Sequence, residues 1–212
     1  MEKIESFYNK FNGSYFFFIG VAISIISIII AIVLYNTGGY TFNILTNYVS
    51  DLGATNAPNN AFIAFNIGLI INGSISPFGT LFLVLFFKNQ SIKQKWIIWL
   101  WFLTNIISAL ATLLVGLFPE DIMLWAHNFT AFITFASLMF YYLIYGIIVI
   151  LVDNVSKYHS IPGFILVLVN VIFMISYVFG INESLSTFFE WMVLFGGWAF
   201  GTYLGIFSLK VK

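Results

Sequence analysis

Five residues of this sequence are of types that could carry chemistry together: Asp51, Glu120, Asp121, His127 and Glu190. An imidazole beside a carboxylate can act as a general base. Carboxylates gathered around an imidazole suit a divalent cation, which would activate water. The same groups, without any reaction, would bind a cationic or hydroxylated headgroup. No HExxH, GxSxG, DxD or nucleotide-binding loop accompanies them, so no enzyme signature is present and no nucleotide is expected. The chain has no Cys and only two His. Disulfides and thiolate catalysis are therefore excluded. His159 falls on the side opposite His127, so the two cannot be paired haem ligands, and no haem is expected.

The elements that must position these residues are membrane helices. Of 212 residues, 61% are hydrophobic, 20% aromatic and only 8% charged, with a mean hydropathy of +1.00. A soluble domain carries roughly a quarter charged residues. The composition also excludes a disordered chain, a coiled coil and, lacking a basic excess, a nucleic-acid binder. A span needs roughly 20 mostly apolar residues. Six segments qualify: Ser14–Tyr35, Ala61–Phe87, Trp96–Leu117, Trp125–Val152, Pro162–Gly180 and Leu185–Leu209. The expected fold is all-α, a single six-span transmembrane domain over residues 1–212. The first span is too long for a signal-peptide core and reads as a retained helix. The Ile-, Asn- and Lys-rich composition without Arg suggests a prokaryotic, archaeal source.

The lysines set the expected orientation. With six spans, Lys3, Lys10, Lys88, Lys93, Lys95, Lys157, Lys210 and Lys212 all fall on one side. Positive charge favours the cytoplasmic side, which places both termini inside a cell membrane. Asp51, Glu120, Asp121 and Glu183 then lie outside, and Glu190 lies a turn and a half into span six. The formal net charge of zero is thus a cancellation across the membrane.

Two outer loops carry the distinctive motifs. The first runs from Asn36 to Asn60, a length that is often functional when no regular structure fills it. Within it, Phe42, Leu45, Val49 and Leu52 recur at helical spacing, which predicts a short amphipathic helix in the interface. Asn59 and Asn60 suit the N-cap of span two. The second loop reads Phe118-Pro119-Glu120-Asp121, with Trp125 placed as an interfacial anchor and His127 opening span four. Ser50-Asp51-x-Gly53 followed by Pro58, together with Phe118-Pro119-Glu120-Asp121 and His127, resembles the domain-of-unknown-function 998 family of small prokaryotic polytopic membrane proteins. The Ser-Asp-x-Gly element is also similar to the Frag/DRAM/Sfk proteins, which have six spans. The resemblance implies a fold and a region of interest, and it carries no reaction.

Polar stripes run through the spans. Span four carries His127, Thr130, Thr134, Ser137, Tyr141 and Tyr145 on one face, and span three carries Asn105, Ser108 and Thr112. Ser50, Asn105, Thr130 and Thr134 are candidate binding groups, although such residues also serve as hydrogen-bonding glue between helices. Span two holds Asn66, Asn72, Ser74 and Ser76 before Pro77, which could kink it. Gly197, Gly201 and Gly205 form a small-residue seam for helix packing, in the manner of a glycine zipper, with Glu190 on roughly the same face. An ionisable side chain within a span is costly and usually functional. The leading expectation is an outward-facing acidic and imidazole pocket that binds or modifies a lipid headgroup. Proton or small-cation transport and a non-catalytic accessory role are the alternatives. Membrane lipids are the expected partners, with a membrane-protein partner or a second copy also open. Asn182-Glu183-Ser184 is a glycosylation-type sequon on the outer side.

Overall fold

The structure is a computed structural model that describes residues 2–90 and 92–210; Lys212 lies outside the described residues. Among the described residues there are seven α-helices: α1 (Glu2–Lys10), α2 (Ser14–Thr37), α3 (Ala61–Lys88), α4 (Trp96–Leu117), α5 (Leu124–Leu151), α6 (Ile161–Val178) and α7 (Glu183–Lys210). No strand occurs among the described residues. Helices α2 to α7 are each long and apolar enough to cross a membrane. They match the six segments read from hydropathy, with ends moved by a few residues. α3 runs through Pro77 as one element.

The six long helices form a closed ring. Each packs on the next in sequence, and α7 returns to pack on α2. Close approach is bought with small residues: a Cβ at Gly73 of α3 would stand 2.5 Å from the Ala109 carbonyl oxygen of α4. Alternating helix direction gathers Lys10, Lys88, Lys93, Lys95, Lys157 and Lys210 at one end of the ring, here the lysine end. The 37–60 loop and the 118–123 loop close the other, the lid end.

The two ends are built differently. At the lysine end, Leu83, Phe87, Trp101, Tyr145, Ile148 and Leu204 belong to one continuous buried block. Trp101 stacks on Tyr141 at 5.2 Å between ring centroids and meets Phe87 edge-on at 5.9 Å. At the lid end a smaller cluster joins Ile28, Ala31, Phe65 and Trp191 to residues from the loop itself, Phe42, Val49, Leu52 and Ala57.

That loop departs from the expected interfacial helix. Its helical stretches are two short 3₁₀ turns, Val49–Gly53 and Pro58–Asn60. Phe42, Val49 and Leu52 point into the bundle and are buried, while Leu45 is exposed. The local chemistry explains why no α-helix forms. Asn43 accepts from the Leu45 backbone N–H, and Asn47 accepts from the Asn43 backbone N–H, so side chains compete for the amides a helix would use. The apolar residues therefore plug the mouth of the ring instead of lying on its surface.

The N-cap expectation for α3 holds in position alone: Asn60 stands at the N-cap without a side-chain cap hydrogen bond. Asn59 and Asn60 both sit at positive φ, 51° and 57°, and neither side chain caps α3. Asn59 instead donates through Nδ2 to the Leu34 carbonyl and the Thr37 hydroxyl, closing the end of α2.

Candidate functional site

A cavity of about 260 Å³ runs along the axis of the ring. Its wall comes from α2, α3, α4, α5 and α7; α6 contributes none of it. The 3₁₀ turn roofs it with Val49 and Ser50. Beneath that roof stand His127 and Glu190, then Asn72, Asn105, Ser108, Thr112 and Thr134. Toward the lysine end Phe17, Tyr142, Phe200 and Leu204 narrow the cavity, and the aromatic block lies beyond them. From Glu190 to Leu204 the cavity follows about 21 Å of α7, at about 1.5 Å per helical residue.

Glu190 is 8% exposed, and its Oε2 accepts a 2.6 Å hydrogen bond from the Val49 backbone N–H. This bond ties the roof to the buried carboxyl. One turn away on the loop, the Asn47 carbonyl accepts from the Trp191 indole N–H at 3.0 Å. Asn66 reaches the Gly53 carbonyl with its Nδ2 at 3.1 Å. A side chain at Gly53 would collide with Phe65 and Asn66, so glycine is what lets the turn settle onto α3.

His127 is 4% exposed, and its Nδ1–H donates to the Phe118 carbonyl at 2.9 Å. In the neutral ring this leaves Nε2 as the acceptor, 4.0 Å from Glu120 Oε2. The pair sits where the second loop meets the cavity wall.

The five residues singled out from sequence are thus divided by the roof. Glu190 and His127 border the cavity. Asp51, Glu120 and Asp121 border a second, open hollow of about 730 Å³ on the far side of the lid, together with Tyr35, Tyr40 and Asn56. The Glu120–His127 approach links the two. Among the described residues, no three His, Asp or Glu side chains gather as ligands of one ion. Asp51 accepts from Asn47 Nδ2 at 3.0 Å, and burial pushes its carboxyl above the usual range. Asp121 accepts from the Thr55 hydroxyl at 2.6 Å and from the Thr55 and Asn56 backbone N–H groups at 2.8 and 3.2 Å. Slight burial pushes the Asp121 carboxyl up, but these bonds outweigh it and hold it below the usual carboxylate range. Asp121 is therefore a clasp between the two loops.

The candidate binding groups divide as well. Ser50, Asn105 and Thr134 border the cavity, whereas Thr130 does not. Thr130 and Thr134 give their hydroxyls to carbonyls of their own helix, as do Ser137 and Thr112. These Ser and Thr hydroxyls are satisfied within their own helices, while Tyr141 and Tyr145 join helices through the hydroxyls of Thr80 and Tyr203. The amide oxygen of Asn105, 6% exposed, has no hydrogen-bond partner among the described residues. Gly197 and Gly201 border the cavity below Glu190. A Cβ at Gly201 or Gly205 would reach 2.8 Å from Val21 or Phe18, so these two positions set the approach of α7 to α2. At Gly197 the nearest atom would be the Tyr142 hydroxyl at 3.5 Å, which leaves room.

Some participants were not evident from sequence. Trp198 donates to the Ser24 hydroxyl at 2.8 Å across α7 and α2 and borders the cavity. At the lysine end, His159 Nδ1 lies 2.7 Å from the Tyr203 hydroxyl, which lies 3.1 Å from that of Tyr145. Nothing in local spacing signals these pairs, which join residues dozens of positions apart.

Fold and cavity define a class: a polytopic membrane protein whose helical ring encloses an axial cavity under a structured loop. Within that class the chain belongs to the family described as "Protein of unknown function (DUF998)", whose model matches residues 18–206. The match supports the first resemblance drawn from the loop motifs and is silent on the Frag/DRAM/Sfk proteins. No curated protein and no solved structure matches the chain.

Proposed function

We propose that the chain is a multi-pass cell-membrane protein that binds a membrane amphiphile in its axial cavity. The polar head would lie near Glu190 and His127 and the apolar part toward Phe17 and Leu204. The observation that carries this reading is a buried carboxyl and a buried imidazole at the lid end of a cavity whose remaining wall is neutral and ends among Phe17, Phe200 and Leu204. Ionisable groups at one end and apolar side chains at the other are what fix an amphiphile in orientation. The lysine end would face the cytoplasm, with both termini inside, because positive charge is retained there. The lid would then face outward. The aromatic block beyond the cavity weighs against a path for ions through the ring.

Native mass spectrometry of the chain released from gentle detergent tests the reading. We expect one retained lipid-mass adduct on the wild type and its loss in Gly197→Leu, which fills the cavity where space exists. A wild type that neither retains nor takes up a lipid would rule the reading out.

One observation favours modification of the bound head as a second reading. His127 Nδ1 is held by the Phe118 carbonyl, which orients the ring and leaves Nε2 as the basic nitrogen of its neutral form, as a general base requires. Turnover of an ester-linked amphiphile that is lost in His127→Gln would support it; no turnover by the pure chain would dismiss it.

A further inference from the structure

The charge around the cavity narrows the occupant, given the reading that an amphiphile binds there. Glu190 is a carboxyl buried within the bundle, and among the described residues its hydrogen-bond donor is a neutral backbone amide. A buried carboxylate is stable only when a cation or several donors compensate it. Among the described residues no lysine borders the cavity, and the chain has no arginine. His127, the other group there able to carry positive charge, is directed at Glu120.

The hollow above the roof has the same sign. Asp51, Glu120 and Asp121 border it, and no lysine does. An approaching solute would therefore meet carboxylates on both sides of the lid. Such a path concentrates cations and repels phosphate and carboxylate.

A second observation is independent of the acids. Asn105 borders the cavity with its amide oxygen buried and unpartnered. A buried acceptor without a donor marks a missing hydrogen-bond donor. The hydroxyls of Thr112 and Thr134 already donate to their own helices, so toward the cavity they offer only lone pairs. Among the described residues that line the cavity none is a lysine or an arginine, and an ammonium group supplies the missing positive charge.

We propose that the occupant is a single-chain amphiphile with an amine head, seated with its ammonium at Glu190 and its alkyl chain directed toward Leu204. One chain fits the geometry: about 260 Å³ is spread along about 21 Å of α7. Glu190 supplies the counter-charge and a charge-assisted hydrogen bond, and the axial walls of Phe17, Val21, Leu138 and Phe200 surround the chain.

A matched series on the full-length chain in detergent tests this. Hexadecylamine, hexadecanol, hexadecanoate and hexadecyl phosphate share one tail and differ only in head. Adduct formation in native mass spectrometry ranks them at equal concentration. We expect the amine to bind at least about tenfold more tightly than either anion, with the alcohol between them. Glu190→Gln keeps an oxygen for the Val49 N–H and should remove the amine's advantage over the alcohol. Equal binding of all four heads, or preference for an anion, overturns the amine assignment while leaving the amphiphile reading intact. Binding of none of the four removes both. An amine preference that persists in Glu190→Gln also overturns the assignment, because the selectivity then lies elsewhere.

Discussion

The two ends of the ring solve the same problem with different means. At the lysine end, Trp101, Phe87, Tyr145 and Leu204 fill the space between helices with side chains. At the lid end the space is left partly open and is closed by a loop fastened through single hydrogen bonds, Val49 to Glu190, Asn47 to Trp191, Gly53 to Asn66 and Thr55 to Asp121. Packed rings resist opening collectively. A loop held by such directional bonds can be released bond by bond, which suits an end that must admit a ligand.

Substitutions that load each end separately can break this comparison. The largest effect belongs to the packed end. Trp101→Ala removes a fully buried ring and should cost about 3–5 kcal/mol, read as a loss of thermal stability in detergent. Gly197→Ala, facing the cavity, should range from neutral to about 1 kcal/mol stabilising, since its Cβ meets nothing closer than 3.5 Å. Similar losses at both positions would mean that the ring is packed evenly along its axis.

The next effect falls on the roof. Glu190→Ala leaves the Val49 N–H buried without an acceptor, a cost of about 1–3 kcal/mol, whereas Glu190→Gln retains the bond. Hydrogen exchange at the Val49 amide should accelerate in the Ala variant and stay near wild type in the Gln variant. Smaller still is the cap on α5. Lys157 Nζ donates to the Ile150 and Val152 carbonyls at 2.7 and 2.5 Å. Lys157→Met should cost about 0.3–1 kcal/mol in thermal stability.

The smallest effect is a pH dependence of the clasp. The Asp121 carboxyl is held below its ordinary value of 3.8 in the folded chain. Its contribution is therefore present above that value and is lost as pH falls through the lower, folded one. Asp51, raised by burial, acts in the opposite sense: its contribution is present below 3.8 and fades as pH rises through the folded value. Exchange at the Thr55 and Asn56 amides should quicken on acidification below about pH 4, and Asp121→Asn should flatten that response. An unchanged profile in Asp121→Asn would show that the clasp does not hold the loops.

What could be read in the sequence follows from the range of the forces involved. Hydropathy is a local sum, so the six spans were legible to within a few residues. The sorting of lysines to one end followed from counting spans. Glu190 and His127 were legible as costly residues near span ends. The division of the acids by the roof was not, because it depends on the Val49–Glu190 bond, which joins residues 141 positions apart. The loop was misread for a similar reason. Phe42, Val49 and Leu52 have helical spacing, and only the tertiary cluster with Trp191 and Phe65 shows that they face the bundle. Asn59 carried a cap signal but served the preceding helix, a choice settled by its positive φ and not by its type.

The account stands or falls on whether a chain occupies the axis under the lid. A hexadecylamine analogue bearing a diazirine in mid-tail, photolysed on the full-length protein, tests this directly. The account predicts labelling of cavity residues such as Val21, Leu138, Phe200 and Leu204, suppressed by excess hexadecylamine. Labelling confined to outward-facing residues such as Ile29, Leu110, Phe140 and Leu168 would contradict it.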